Sequence, residues 1–299
     1  MADSFVIETA GLQKSYGTFE ALRGLDLQVP PGSIFGFLGR NGAGKTTTMK
    51  LLLGMAQPTG GTARVFGLDA NDAQASVGIR RRTGFVSEEK DLYDSMTVDE
   101  MIRFTRAFYP RWRHHLEQRY RHAFELPHDR KIKMLSRGMR TKLALLLALC
   151  RGAELLMLDE PTSGLDPTMT EQVLQALVSH VASEEMTVFF SSHQIAEVDQ
   201  IADRVAVIDR GRAVVSGTLE DLRESYRRIQ LVFEDTAPSL TFRAPGVVRQ
   251  QRAGRVITIL SSSGGDAIAS EARTLGAVSI DETPVTLKDI FLETVAAEE

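Results

Sequence analysis

The stretch Gly39-Arg40-Asn41-Gly42-Ala43-Gly44-Lys45-Thr46, with Thr47 following, constrains this chain more than any other. It meets every fixed position of the P-loop pattern G-x-x-x-x-G-K-[ST]. Its surroundings suit the motif. Ser33-Ile34-Phe35-Gly36-Phe37-Leu38 is an apolar run of strand length, and Thr46-Thr47-Thr48-Met49-Lys50-Leu51-Leu52-Leu53 reads as a helix that stops at Gly54. A strand, a glycine-rich turn and a helix therefore follow in order. The glycines let main-chain N–H groups turn inward with no Cβ in the way, and the helix N-terminus adds free donors and partial positive charge. Lys45 supplies a point charge for β- and γ-phosphates, and Thr46 a hydroxyl for Mg²⁺. The pattern implies a nucleoside triphosphate. It does not say what the energy drives.

At 299 residues the chain has room for one large domain or two modest ones. A net charge of −4 and a pI near 5.9 give no overall attraction to nucleic acid. The single cysteine, Cys150, excludes an intrachain disulfide and fits a reducing compartment. It sits in the apolar run 143–150 and reads as core packing. No apolar run approaches the ~20 residues of a membrane-spanning helix. Met1-Ala2-Asp3-Ser4 shows no basic segment leading into an apolar one, so no signal peptide is expected. Any membrane role would come through a partner chain.

Strands are expected at residues 5–9 and 22–29, with Gly11 and Gly24 as breakers and Tyr16 in a turn between them. After the P-loop helix, further strands are expected at 63–67 and from Gly84, the latter running into the acidic loop Ser87-Glu88-Glu89. Residues 91–149 change character. Met101, Phe104 and Phe108, then Leu116, Tyr120 and Phe124, recur at helical spacing, and Thr97 with Glu100 forms a capping box. This reads as a helical insert. Between 103 and 142 it carries twelve Lys and Arg against Glu117, Glu125 and Asp129. A solvated face explains such a surface; contact with anionic headgroups or an acidic partner loop is the functional alternative. His114, His115, His122 and His128 have no carboxylate or cysteine at ligand spacing and are not read as a metal site.

A helix is expected over 137–151, with Ser136 as its N-cap. Glu154-Leu155-Leu156-Met157-Leu158-Asp159-Glu160 reads as a buried strand that emerges on two acids. Ligands of open α/β sheets sit at the carboxyl ends of strands, which places Asp159 and Glu160 near the P-loop. A loop at 161–167, a helix at 169–183, a strand ending in Ser192-His193, and short strands at 201–208 and 213–215 follow. Beyond about 226 the pattern is a half-buried strand at 229–233, a hairpin about Ala253-Gly254, a helix at 266–275, a strand at 278–280 and a helix at 287–295. It forms a small second α/β unit with no catalytic motif.

In order along the chain, the P-loop, Leu135-Ser136-Arg137-Gly138-Met139, the run ending Asp159-Glu160, the loop carrying Asp166, and His193 resemble the nucleotide-binding subunit of an ABC transporter. The resemblance covers roughly residues 5–220. It implies an α/β P-loop NTPase fold. The nucleotide-binding domain would span 1–222, with a helical subdomain at about 90–150, and an accessory α/β domain would span 226–299. It implies ATP and Mg²⁺ as ligands. Tyr16 would stack on adenine. Gly39, Arg40, Asn41, Gly42, Ala43, Gly44, Lys45, Thr46 and Thr47 would cradle the phosphates. Thr46, Glu88 and Asp159 would hold Mg²⁺. Lys45 would neutralise phosphate charge, Glu160 would activate water, and His193 would contact the γ-phosphate. Ser136 and Gly138 would touch the opposite subunit's γ-phosphate, with Asp166 in the loop that crosses the dimer interface.

Two motifs depart from the family pattern. Arg137 and Met139 stand where Gly and Gln are usual in Leu-Ser-Gly-Gly-Gln, and Glu88 aligns with the usual Mg²⁺-sensing glutamine. Both changes resemble a subset of bacterial exporters with a separate permease chain. The resemblance thus implies a homodimer or heterodimer of nucleotide-binding domains that closes on ATP. The pair would be bound through a transmembrane permease to the cytoplasmic face of the membrane, with no nucleic-acid partner. The competing expectation is a soluble ABC-type ATPase acting on a cytosolic macromolecular partner. The single P-loop and the compact segment without Cys pairs weigh against translation and DNA-repair types. Lys45, Glu160 and His193 weigh against a non-hydrolysing module. The cargo is not written in this chain.

Overall fold

A computed structural model describes residues 5–184, 186–239, 241–242 and 244–295. The reading of Met1-Ala2-Asp3-Ser4 falls outside them. Two compact units divide the chain, Met1–Ala213 and Val214–Glu299. The first begins with β1 (Ile7–Tyr16), β2 (Phe19–Val29), β3 (Ile34–Gly39), α1 (Lys45–Leu52), β4 (Gly60–Val65), β5 (Leu68–Asp69), α2 (Ala73–Arg82) and β6 (Thr83–Val86). The helical insert is α3 (Val98–Arg106), α4 (His114–Ala123) and α5 (Arg137–Cys150). Then come β7 (Leu155–Asp159), α6 (Pro167–Glu184), β8 (Thr187–Ser192), α7 (Ile195–Ile201), β9 (Arg204–Asp209) and β10 (Arg212–Thr218), and the division falls inside β10.

β2, β1, β4 and β5 make an antiparallel sheet, and β10-β9-β3-β8-β7-β6 is a second sheet. The pairs β9–β3, β3–β8, β8–β7 and β7–β6 are parallel. β7 and β8 are buried along their whole length, as strands covered on both faces must be. Phe35 and Phe37 set their rings 5.8 and 5.3 Å from that of Phe189. A fully buried phenylalanine contributes roughly 1.5–3 kcal/mol. Gly36 is required by packing, because a Cβ there would lie 2.5 Å from Val198 Cγ1 on α7. Register then decides the chemistry. Leu38 lies opposite Ser192, Ser191 opposite Asp159, and Leu158 opposite Val86. Four chain segments therefore leave the sheet at one end: the P-loop, Asp159-Glu160, Ser192-His193 and Ser87-Glu88.

Several sequence expectations change. Gly11 and Gly24 do not break strands. They lie inside β1 and β2 at positive φ, where the ladder shifts register, and Gly11 N–H donates to Asp26 Oδ1 at 2.6 Å. Tyr16 is the last residue of β1 rather than a loop residue. Helix α2 carries little apolar signal; Asp72 caps it by accepting from the N–H groups of Gln74 and Ala75. Phe104 and Phe108 do not face a core. With Tyr93 they form an exposed edge-to-face ladder, with ring centroids 5.6 and 5.2 Å apart. The basic insert is partly internally paired: Arg121 with Asp99 and Glu117, Arg106 with Glu117, Arg140 with Asp94.

In the second unit, α8 (Leu219–Ser225) precedes β11 (Arg227–Phe233), β12 (Val247–Ala253), β13 (Val256–Ser261), α9 (Gly265–Thr274), β14 (Ala277–Pro284) and α10 (Leu287–Val295). Its antiparallel sheet runs β12-β13-β11-β14. Ile229, Leu231, Phe233, Ile257 and Ile259 of the sheet form one core with Ile268 and Ala272 of α9.

Candidate functional site

Gly44 forms the N-cap of α1 at φ +112°, and a Cβ there would meet Leu22 Cδ2 at 2.7 Å and Ala21 O at 2.8 Å. Only glycine fits. Gly42 also holds positive φ, and a Cβ on Gly39 would lie 2.6 Å from Ile208 O. The loop is thereby pinned from behind while its front stays open. Ala43 is buried and its carbonyl accepts from Gly211 N–H at 3.0 Å; Arg40 and Asn41 are exposed. The cleft in front has a volume of about 310 Å³ and is lined by Asn41, Gly42, Gly44, Lys45, Thr46, Thr47, Glu88, Glu160, Ala21 and Phe19.

Lys45 is 6% exposed. Its Nζ donates to the carbonyls of Gly39 at 2.8 Å and Arg40 at 3.3 Å, and lies 3.1 Å from Glu160 Oε1. The other carboxylate oxygen, Glu160 Oε2, accepts from His193 Nδ1 at 2.8 Å. A carboxylate only accepts, so this bond places the imidazole proton on Nδ1. Glu160 Oε1 is buried and makes no hydrogen bond; the lysine contact is one of charge alone. Glu160 also holds φ +47°, unusual for a side chain of its size. Its backbone is fixed by Ser191, whose Oγ accepts from Glu160 N–H at 3.0 Å and donates to Asp159 Oδ1 at 2.6 Å. The next rung repeats the device. Buried Glu197 accepts from Ser192 Oγ at 2.9 Å and Thr162 Oγ1 at 2.7 Å, tying the strand before His193 to the loop after Glu160. Burial raises the Glu197 carboxyl above the usual range.

The structure gathers most of the expected residues but not all. Asn41, Gly42, Gly44, Lys45, Thr46, Thr47, Glu88 and Glu160 share the cleft, with Asp159 and His193 bonded alongside; Gly39, Arg40 and Ala43 belong to the same loop but do not line it. The aromatic on the cleft wall is Phe19, which the sequence reading missed. Tyr16, its cross-strand partner, does not line the cleft and carries the Lys14 ammonium 4.8 Å from its ring centroid. Ser136, Gly138 and Asp166 also lie outside it. Ser136 caps α5, accepting from Met139 N–H at 3.2 Å, and exposed Asp166 accepts from Met169 N–H at 2.9 Å in the first turn of α6. Gly138 is packed so closely on Met169 that a Cβ would overlap its sulfur. Arg137 donates to Ser163 Oγ at 3.2 Å, joining this segment to the Asp166 loop. Lys90 is a further missed residue, buried at 6% exposure, with its ammonium donating to the carbonyls of Glu88 and Glu160.

Comparison with known proteins agrees with the architecture. The ABC transporter family matches residues 22–163. The daunorubicin/doxorubicin resistance ATP-binding protein DrrA of Streptomyces peucetius is 38% identical over 73% of this chain and 67% of its own length. The bacitracin transport ATP-binding protein BcrA of Bacillus licheniformis is 34% identical over 75% of this chain and 74% of its own. The ABC transporter ATP-binding protein YtrB of Bacillus subtilis is 27% identical over 96% of this chain and 97% of its own, a match that takes in both units. Among solved structures, an ATP-binding subunit of an ABC transporter superposes with a TM-score of 0.66 at 26% identity, covering 73% of this chain and 92% of that one. The ATP-binding cassette MJ0796, described as dimeric and bound to ADP and Pi, superposes at 0.65 with 22% identity, covering 71% and 98%. Strand register, phosphate loop and relatives thus converge, and the chain belongs to the ABC transporter family as an ATP-binding, ATP-hydrolysing subunit.

Proposed function

We propose that this subunit powers export of a substrate through a separate transmembrane permease, held at the cytoplasmic face of the membrane by that permease. The observation that carries the reading is the Lys45–Glu160–His193 cluster at the mouth of a phosphate loop. DrrA is named for drug resistance and BcrA for bacitracin transport, and a relative named as a Nod factor export ATP-binding protein favours export as the direction. Among the described residues no helix is long and apolar enough to cross a membrane; in this reading another chain supplies the channel. The exposed ladder Tyr93–Phe104–Phe108 on the insert offers the apolar surface such a partner would cover.

The residues fit ATP and Mg²⁺. Glu160 Oε1 is buried, makes no hydrogen bond and touches the Lys45 ammonium, so it can accept from a water once Lys45 moves to the phosphates. Thr46, Glu88 and Asp159 offer hard oxygen ligands of the kind Mg²⁺ takes. Bound there, Mg²⁺ supplies positive charge at the phosphate oxygens. In this reading Lys45 leaves Glu160 for the β- and γ-phosphates, and main-chain N–H groups of 39–47 hold the remaining oxygens. Freed, Glu160 accepts a proton from the attacking water and His193 steadies the γ-phosphate. Tyr16 and Phe19, at the tip of one hairpin, flank the adenine. Ser136 and Gly138 serve a second cassette's nucleotide, and Asp166 lies in the loop between the two. That division of labour explains why these three stand outside the cleft of their own chain. The second cassette is another copy or a related chain.

The test is capture of tagged Glu160→Gln protein from its native cell, with membranes solubilised in ATP and Mg²⁺. A polytopic membrane protein in fixed ratio supports the reading. A soluble macromolecule in its place would move the chain to the cytosolic ABC ATPases.

A further inference from the structure

Two residues without glycine's freedom adopt left-handed backbone beside the cleft: Lys90 at φ +53° and Glu160 at φ +47°. Such conformations persist where surrounding structure enforces them, and they gather at functional sites. The two are joined. Lys90 Nζ donates to the carbonyl of Glu160 at 3.3 Å and to that of Glu88 at 3.1 Å. A long flexible cation is thus drawn back into the fold, 6% exposed, to span the loop after β6 and the turn after β7. Burial costs an ammonium dearly unless opposite charges stand near. The carboxylates acting on Lys90 are those of Asp159, Glu88 and Glu160, and Arg137 opposes them.

Charge counting gives the arrangement a purpose. Glu88 stands in the phosphate cleft at a position where the resemblance leads one to expect a neutral glutamine. A carboxylate there adds one negative charge beside Asp159, Glu160 and an incoming polyanion. Two residues on, the chain places one buried positive charge. We propose that Lys90 is a positioning residue that latches the Glu88 loop to the Glu160 turn, its buried charge offsetting the acid cluster of Asp159, Glu88 and Glu160 as a whole. The inference rests on the nucleotide-cleft reading above. It predicts that Glu88 and Lys90 act as a pair, so that neutralising both is milder than neutralising Lys90 alone.

The experiment compares wild type, Lys90→Met, Lys90→Arg, Glu88→Gln and the Glu88→Gln/Lys90→Met double variant. ATP affinity is measured by calorimetry with Mg²⁺ and with EDTA, and turnover by phosphate release. Lys90→Met leaves an uncompensated acid cluster. It should bind ATP with Mg²⁺ within about threefold of wild type, lose about tenfold in turnover, and depend more steeply on Mg²⁺ for binding. Glu88→Gln, an exposed and fold-safe change, should shift that Mg²⁺ dependence the opposite way. The double variant should recover turnover to within about threefold of Glu88→Gln, and Lys90→Arg should stay near wild type. A double variant as impaired as Lys90→Met, or a Glu88→Gln protein with unchanged Mg²⁺ dependence, overturns the proposal. Failure of the wild type to bind ATP at all would instead overturn the cleft reading on which it rests.

Discussion

Replacing Glu160 with glutamine separates two consequences of one contact. Lys45 Nζ and Glu160 Oε1 are 3.1 Å apart, with both side chains 6% exposed. Lys45 must abandon this partner to reach a triphosphate. Removing one member of a buried ion pair can cost 3–5 kcal/mol in general, roughly. Here the loss is smaller, because Lys45 keeps the carbonyls of Gly39 and Arg40 and the cleft is open to water. We take about 1–2 kcal/mol for the part of the contact that ATP must displace, a factor of about 5–30 in affinity. Glu160→Gln should therefore bind ATP about 5–30-fold more tightly than wild type, helped further by the loss of one negative charge. Its turnover should fall by roughly 10²–10⁴, the span of a general base. Calorimetry on the nucleotide-bound variant and phosphate release read the two effects independently. Weaker ATP binding than wild type would refute the competing role of the Lys45–Glu160 contact, and wild-type turnover would refute Glu160 as the base.

Other outcomes follow from named contacts. His180 is 2% exposed, bonded to Tyr120 at 3.2 Å, and burial pulls its imidazole down from 6.5 to about 4. The unfolded chain then binds the extra proton between those values, so stability is intact above pH 6.5 and falls by up to about 3 kcal/mol toward pH 4. Denaturant melts of His180→Gln should show a flatter pH slope in that window; an unchanged slope would contradict this. Gly138→Ala should cost under about 1 kcal/mol, because the overlapped atoms are the flexible end of half-buried Met169, which can turn aside; a thermal melt showing a loss of several kcal/mol would contradict this. Truncating Tyr16 or Phe19 to alanine should weaken ATP by roughly 1–3 kcal/mol and leave inorganic triphosphate binding unchanged. Equal losses for both ligands would remove the rings from base recognition.

The site was legible where its chemistry is local. Strand, phosphate loop and helix are consecutive in the chain, and the run ending Asp159-Glu160 announces its own emergence from the sheet. Other features depend on contacts across the fold. Phe19 lines the cleft because the β1–β2 hairpin brings it there, and Lys90 is buried because its ammonium reaches the carbonyl of Glu160, far along the chain. Helical spacing placed Phe104 and Phe108 on an apolar face, but period alone cannot say whether that face meets a core or solvent. Helix α2 was invisible for the opposite reason: it buries only Ser76 and Ile79.

Calorimetry of Mg²⁺-ATP binding to wild type and Lys45→Ala, side by side, tests the account at its centre. The wild type should bind one ATP per chain, and the variant, stripped of the cation at the base of the loop, should show no tight binding. A Lys45→Ala protein that binds ATP as the wild type does would contradict the assignment of residues 39–47 as the phosphate cradle, and with it the roles given to every side chain around them.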